Sequence, residues 1–449
     1  MGRGLIFPGQ GSQAPGMAKA IANESPAALA SLLRAERITG LPILRLCTEA
    51  PDGELRRTDV AQPAILATEL AVLAGVRETF GLEEDDSLAR LNVLAVAGHS
   101  LGEFCACVAA QSLTEETALR FVCERGRLMA EARAGAMAAV LGGEADAVAA
   151  ICATLAGLVI ANDNAPGQIV ISGPPAAISE ATPRLLEAGA RRVVPLNVSG
   201  AFHSPLMVAA QSAFATLVAE AEIREPRVAV VGNTNARALT SAAEVRAELG
   251  MQMTAPVRWR ESVLSLVEMG ATSLIECGPG EVLIGLARRT VSGIALHAIH
   301  TRKDAGVLGT AYVRELALQA LYEADATDHP APVVIERLVE ALNVPFALRE
   351  EARHSVARVV RNLPRVDDEI AIGAPAWPVH QMARVERGIL RLALSEGIGD
   401  NAATLDRASI DGALELARTF GGETSVKFVN GVLSSLAERH VPPAQRAAL

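Results

Sequence analysis

From residue 1 to about residue 303, short apolar runs rich in β-branched residues alternate with longer Ala/Leu-rich runs whose apolar positions recur every three or four residues. That alternation predicts strands interleaved with helices, an α/β unit. The predicted strands include residues 4–7, 91–97, 228–231 and 273–276. Residues 136–196 keep a rhythm of their own: strand 136–141, helix, strand 158–161, strand 169–172, helix, strand 192–196. This βαββαβ order predicts a small ferredoxin-like subdomain inserted at about residues 134–199. Beyond about residue 305 the β-branched runs stop and the apolar period becomes that of helices. Met382, Val385, Ile389 and Leu392 form one stripe, Ile410, Leu414, Ala417 and Phe420 a second, and Val429, Val432, Leu433 and Leu436 a third. Gly421-Gly422 is placed to end the second of these helices, and Thr424 or Ser425 to cap the third. The expectation is an α/β unit over residues 1–305 joined, without a long Gly/Ser linker, to an all-α helical bundle over residues 306–441.

Length and composition fit that division. A chain of 449 residues is about three typical domains long, and 50% hydrophobic with 20% charged residues is the balance of a globular protein. A net charge of -10 argues against a surface whose main task is to hold nucleic acid, because phosphate neutralisation needs an excess of Lys and Arg. The six cysteines, at 47, 105, 107, 123, 152 and 277, show no zinc-ligand spacing, and no metal site is predicted. They read as buried reduced thiols, which with an N-terminus lacking a signal-peptide apolar stretch points to the cytoplasm. The most membrane-like stretch, residues 147–161, is shorter than the ~20 residues a spanning helix needs and contains Gly157. Helix followed by strand is the better reading, and no membrane partner is expected.

The chemistry concentrates in Gly98-His99-Ser100-Leu101-Gly102-Glu103-Phe104, which follows an apolar strand and precedes a helical run. This is a Gly-x-Ser-x-Gly elbow, in which a strained strand-to-helix turn exposes a serine hydroxyl and the amide of Leu101 opens a helix. The same residues also suit a tight turn around a buried serine. A serine nucleophile needs a base. His203, in Ser199-Gly200-Ala201-Phe202-His203-Ser204-Pro205-Leu206-Met207, lies just past the inserted subdomain, where a loop faces a cleft; the alternative is a histidine that caps the next helix. His99 reads as a support for the turn. Phe7-Pro8-Gly9-Gln10-Gly11-Ser12-Gln13 follows the first strand, and the Gln10 amide is a second candidate oxyanion donor. Arg125 sits in an apolar stretch of helix, as either a solvated surface charge or a ligand-binding cation.

In combination, Phe7 to Gln13, Gln62-Pro63-Ala64-Ile65, Gly98 to Phe104, Arg125-Gly126 with Met129, Asn164-Ala165-Pro166-Gly167-Gln168 through Ser172-Gly173, Ser199 to Met207, and Gly278-Pro279-Gly280 resemble the malonyl-CoA:acyl-carrier-protein transacylase family over about residues 3–300. The resemblance implies a parallel-sheet, α/β-hydrolase-like core. It implies Ser100 as nucleophile, His203 as base, the amides of Gln10 and Leu101 as oxyanion hole, and Arg125 as the clamp on the malonyl carboxylate. Gln252 falls where the family has a glutamine whose main-chain carbonyl orients the histidine. Leu101 and Ala201-Phe202-His203 match the malonyl rather than the methylmalonyl type of related polyketide enzymes. The implied reaction is a ping-pong transfer from malonyl-CoA to the pantetheine thiol of holo acyl carrier protein, in fatty acid or polyketide biosynthesis, with neither metal nor bound cofactor.

Residues 314–322, 384–393 and 415–433 are similar to a second family, the NusB-type antitermination and rRNA-processing domain. That similarity implies binding of boxA-like RNA, together with ribosomal protein S10, through an arginine-rich first helix. Here the cluster is thinned, with Arg302 and Lys303 upstream of Arg314, and residues 306–449 hold 15 Lys and Arg against 19 Asp and Glu. A scaffold or protein-binding bundle is therefore weighed beside RNA binding. Two alternatives to the transferase stand: a serine hydrolase or thioesterase acting on CoA thioesters, which calls for an acidic residue behind the histidine, and a NusB-like RNA/S10-binding protein with a non-catalytic transferase core.

Overall fold

Ten strands lie in two sheets in the computed structural model, which describes residues 2–397, 405 and 407–440. The larger sheet has the order β10-β9-β1-β2-β7-β8, with β1 at Gly2–Phe7, β2 at Val93–Gly98, β7 at Ala229–Val231, β8 at Ala238–Leu239, β9 at Ala271–Cys277 and β10 at Ala295–Ile299. The central strands β9, β1, β2 and β7 run parallel. Their near-continuous apolar sequences follow from cover on both faces, and every residue of β1 is buried. The expectation of a parallel sheet needs correcting, because β8 pairs antiparallel with β7 and the sheet is mixed. The tight connection from Gly232 to Arg237, closed by the Gly232 amide on the Arg237 carbonyl at 3.0 Å, is too short for a crossover and forces a hairpin.

The smaller sheet is antiparallel, in the order β4-β5-β3-β6, from β3 at Ala136–Leu141, β4 at Val159–Ala165, β5 at Gln168–Gly173 and β6 at Arg192–Pro195. The helices Ala145–Ala153 and Pro175–Glu187 cover it, burying Val140, Val148, Ile169, Ile171 and Leu185 in a core of its own. The segment 147–161 is thus split between a helix and the start of β4. The described helix that is long and apolar enough to cross a membrane is instead Thr58–Phe80, and 89% of its most apolar window is buried in the fold, as in a core helix.

The chain divides into two compact units, one holding residues up to Ala305 except Phe80–Leu82 and Gly293–Ala295, the other holding those two short segments and the chain from Gly306, so that one division falls inside the helix Arg302–Ala326. The expected limit at residue 441 lies outside the described residues. The second unit continues with helices Ala331–Ala341, Phe346–Gly373, Arg384–Gly397, Arg407–Phe420 and Glu423–His440. Met382, Ile389 and Leu392 of the first predicted stripe and all four residues of the third are buried. The second stripe is displaced by about one position: Ser409, Gly412, Ala413, Leu416 and Ala417 face inward. The reason is Arg314, whose guanidinium packs so close to Gly412 that a Cβ there would lie 2.2 Å from its Nη1. Small residues turn inward to admit it. Arg314 is bonded there by Glu396, at 3.0 Å from Nε and 2.7 Å from Nη2. Ser425 lies within the first turn of its helix, not at the cap, and its hydroxyl donates to Glu386.

Candidate active site

Ser100 occupies the turn between β2 and the helix Gly102–Ala109, with φ at +51°, a left-handed conformation that is uncommon and costly for serine. The turn exists because its neighbours have no side chains. A Cβ on Gly98 would lie 1.9 Å from the Gly102 carbonyl carbon, and one on Gly102 2.1 Å from the Phe7 oxygen. Asn233, in the β7–β8 turn, braces it from beneath: Oδ1 accepts the Ser100 N–H at 2.7 Å while Nδ2 donates to the Gly98 carbonyl at 2.7 Å. His99 also serves the turn. Its N–H donates to Phe7 O, its Nε2 bonds Asn164 at 2.8 Å, and its ring meets Trp259 edge-on.

His203 reaches the hydroxyl directly, with Nε2 2.8 Å from Ser100 Oγ. Its Nδ1 faces two main-chain carbonyls, Gln252 O at 3.1 Å and Ala255 O at 3.0 Å. Carbonyls only accept, so the proton sits on Nδ1 and Nε2 is left to receive one from serine. Burial, with the positive Arg125 nearby, pushes the imidazole down from 6.5 to about 3 and keeps it neutral.

Arg125, on the helix Glu115–Glu131, is fully buried. Its Nη2 donates to Ser100 Oγ and to Gln252 Oε1, both at 3.0 Å, and Nη1 donates to Gln62 Oε1 at 2.8 Å. Its Nε is buried without a hydrogen-bond partner. Burial lowers the guanidinium from 12.5 to about 10, against the pull of the Glu103 charge, so it remains a cation at neutral pH. This buried cation is held by neutral amides and retains an unsatisfied donor, the state of a site that accepts an anion.

Structure therefore joins Ser100, His203, Arg125 and Gln252 in one hydrogen-bonded cluster, with Leu101 next in the elbow. The loop carrying Gln10 presses against the same turn, since a Cβ on Gly9 would lie 2.4 Å from the His99 oxygen. The Gln10 side chain leads away, to Thr58 Oγ1 at 3.3 Å. Sequence reasoning gave no role to Asn233, Ala255 or the side chains of Gln62 and Glu103. The available signals were the Gly232-Asn233-Thr234-Asn235 turn at the carboxyl end of a parallel strand, where sites of open α/β sheets gather, and the Gln62-Pro63 start of a buried helix. Among the described residues, no group of three His, Cys, Asp or Glu is placed to hold a metal ion.

The family model for the acyl transferase domain matches residues 5–322, and that of the NusB family matches residues 312–438. The malonyl CoA-acyl carrier protein transacylase of Staphylococcus aureus (strain MW2) is 38% identical over 307 residues, 67% of this chain and 96% of the relative. The crystal structure of an acyl carrier protein S-malonyltransferase from Vibrio cholerae aligns with a TM-score of 0.63 at 36% identity, over 67% of this chain and 97% of that one. A malonyl-transacylase solved in complex with its holo type II PKS acyl-carrier protein aligns with a TM-score of 0.63 at 33% identity, over 69% and 99%.

Proposed function

The chain belongs to the acyl transferase domain family, and on that premise we propose that it transfers a malonyl group from malonyl-CoA to the phosphopantetheine thiol of holo acyl carrier protein through an ester on Ser100. The observation that carries this reading is the position of the Ser100 hydroxyl, 2.8 Å from a neutral imidazole and 3.0 Å from a buried guanidinium. Ser100 Oγ gives its proton to His203 Nε2 as it attacks the thioester carbonyl. Negative charge on the carbonyl oxygen falls to the amides of Gln10 and Leu101. The tetrahedral intermediate expels CoA sulfur, which takes the proton from His203. The carrier thiol then attacks the acyl-serine by the reverse path, and serine leaves reprotonated. The Gln252 and Ala255 carbonyls hold the imidazolium that forms between the steps, in the place of an acidic third member.

Arg125 gives the malonyl carboxylate its recognition. Nε and Nη2 form one edge of the guanidinium fork, and a carboxylate meeting that edge would satisfy the orphaned Nε–H. A hydrolase has no need of that cation, and Nδ1 of His203 faces carbonyls where a hydrolase would place an acid. We read the larger sheet as α/β-hydrolase-like and the inserted one as ferredoxin-like, take 1–305 and 306–441 as domain limits, and place the enzyme in the cytoplasm in fatty acid or polyketide synthesis. The chain also carries a NusB family domain. Because Arg314 is bonded by Glu396, we infer a protein-contact or scaffold role for it in preference to RNA binding. A salt-dependent titration with boxA-like RNA, with and without ribosomal protein S10, tests this; tight binding that weakens with salt would overturn it.

For the transferase, intact-mass analysis after mixing with malonyl-CoA should show a malonyl adduct that holo carrier protein discharges and that Ser100→Ala lacks. Arg125→Ala should lose malonyl loading by about 100-fold or more while acetyl loading changes little. Release of free malonate without transfer would favour the hydrolase, and no adduct at all a non-catalytic core.

A further inference from the structure

Gln252 has two different duties in this site. Its main-chain carbonyl receives His203, and its side-chain oxygen receives Arg125 Nη2. The second duty depends on which way the amide points. Turned over, Gln252 would present NH2 to a guanidinium that can only donate. Something must therefore fix the amide, and the structure offers two acceptors on the side away from Arg125: the Ser100 carbonyl at 2.8 Å and Glu103 Oε2 at 2.5 Å from Gln252 Nε2.

Glu103 lies in the first turn of the helix that follows the nucleophile and is completely buried. Its other oxygen, Oε1, accepts the main-chain N–H of Asn233 at 2.9 Å. Asn233 is the residue that holds the Ser100 N–H and the Gly98 carbonyl. One carboxyl group thus receives donors at both oxygens, one from the residue that braces the nucleophile and one from the residue that aims the arginine. The neighbouring acid Glu248 accepts the N–H and hydroxyl of Thr234 at 2.8 and 2.6 Å, and burial together with the Glu248 charge pushes the Glu103 carboxyl well above the usual carboxylate range.

We propose that Glu103 is a positioning residue for malonyl selectivity: it sets the Gln252 amide so that Oε1 meets Arg125, and through Asn233 it holds the serine elbow in register with the same arginine. Glu103 touches neither substrate nor the reacting atoms, and the proposal rests on the malonyl-transfer reading. The two arms are separable. In Glu103→Gln the shape is kept, but the new side chain has one oxygen and one NH2. The Asn233 main-chain N–H cannot turn over, so it claims the oxygen, and the NH2 then confronts Gln252 Nε2. Gln252 relieves that clash by turning its amide, which breaks the bond to the Ser100 carbonyl and sets NH2 against Arg125. The elbow arm survives while the arginine arm is lost.

The test measures Ser100 loading from malonyl-CoA and from acetyl-CoA in the wild-type chain, Glu103→Gln and Asn233→Ala, with thermal melts of each. Glu103→Gln should lower malonyl kcat/KM about 10- to 100-fold, mainly through KM, the range of a lost charge-assisted hydrogen bond, with acetyl loading nearly unchanged and Tm lowered by the buried bonds it breaks. Asn233→Ala should lower kcat for both donors alike. Equal losses for the two donors in Glu103→Gln, or no loss, would overturn the assignment. A wild-type chain that loads neither donor would defeat the underlying reading instead.

Discussion

Arg125 in the α/β unit and Arg314 in the helical unit are both largely buried, yet their partners differ in kind. Arg314 is bonded by the Glu396 carboxylate, and nearby Arg387 and Arg391 are tied to Asp325 and Asp367. Arg125 is bonded by two carboxamides and a hydroxyl, and its Nε has no partner. A guanidinium neutralised by an internal carboxylate is spent on structure. One held by neutral dipoles keeps its charge for a ligand, at some expense in stability. The lesson is that an arginine's function is read from what accepts its hydrogens, because burial alone does not separate the two cases.

The comparison breaks if Arg125 can be turned into a second Arg314. Gln62→Glu does this with a change of one functional group, setting a carboxylate where the amide now accepts Nη1. We expect malonyl kcat/KM to fall about 10- to 100-fold with Tm held or raised, measured by loading kinetics and calorimetry. Unchanged malonyl kinetics would mean that the charge of Arg125 is not the determinant. The reverse change sharpens the contrast. Glu396→Gln leaves Arg314 with an amide in a pocket where arginine and glutamate side chains are only 15% and 18% exposed. It should destabilise the helical unit by about 1–3 kcal/mol and leave malonyl loading unaltered. A further effect, small near neutral pH, concerns His203, the neutral partner that shares the site with Arg125. Its folded value of about 3 lies below the ordinary 6.5, so as pH falls through that window the unfolded chain takes up a proton that the native chain refuses. Stability is present above 6.5 and lost towards 3, and His203→Asn should flatten that slope by at most one proton's worth; malonyl loading by the wild type should hold steady to well below pH 6.5. A rate that halves near 6.5 would place the imidazole in solvent.

How much of this was legible in the sequence follows from how local each signal is. Ser100 is announced by the glycines two residues either side, and β1, β2 and β9 by apolar runs that need no partner to be seen. His203 and Arg125 were legible only in combination with other motifs, since a loop histidine or a helical arginine has an ordinary structural reading. Asn233 and the Gln62 side chain act at sequence separations of 133 and 63 residues from the groups they serve, and nothing in their immediate neighbourhood records it. In the helical unit the stripe of residues 410–420 went astray because apolar spacing assumes that large residues face inward, whereas Gly412 and Ala413 do so to make room for an arginine. Strand β8, two residues long, lies below what periodicity resolves.

Ser100 and His203 share one backbone property, positive φ values of +51° and +55°. Each is a resting load on the fold, of about 1 kcal/mol or somewhat more, that glycine or asparagine would lighten. Release from selection for acyl transfer would free both positions to take such residues, with a gain in thermal tolerance of that size.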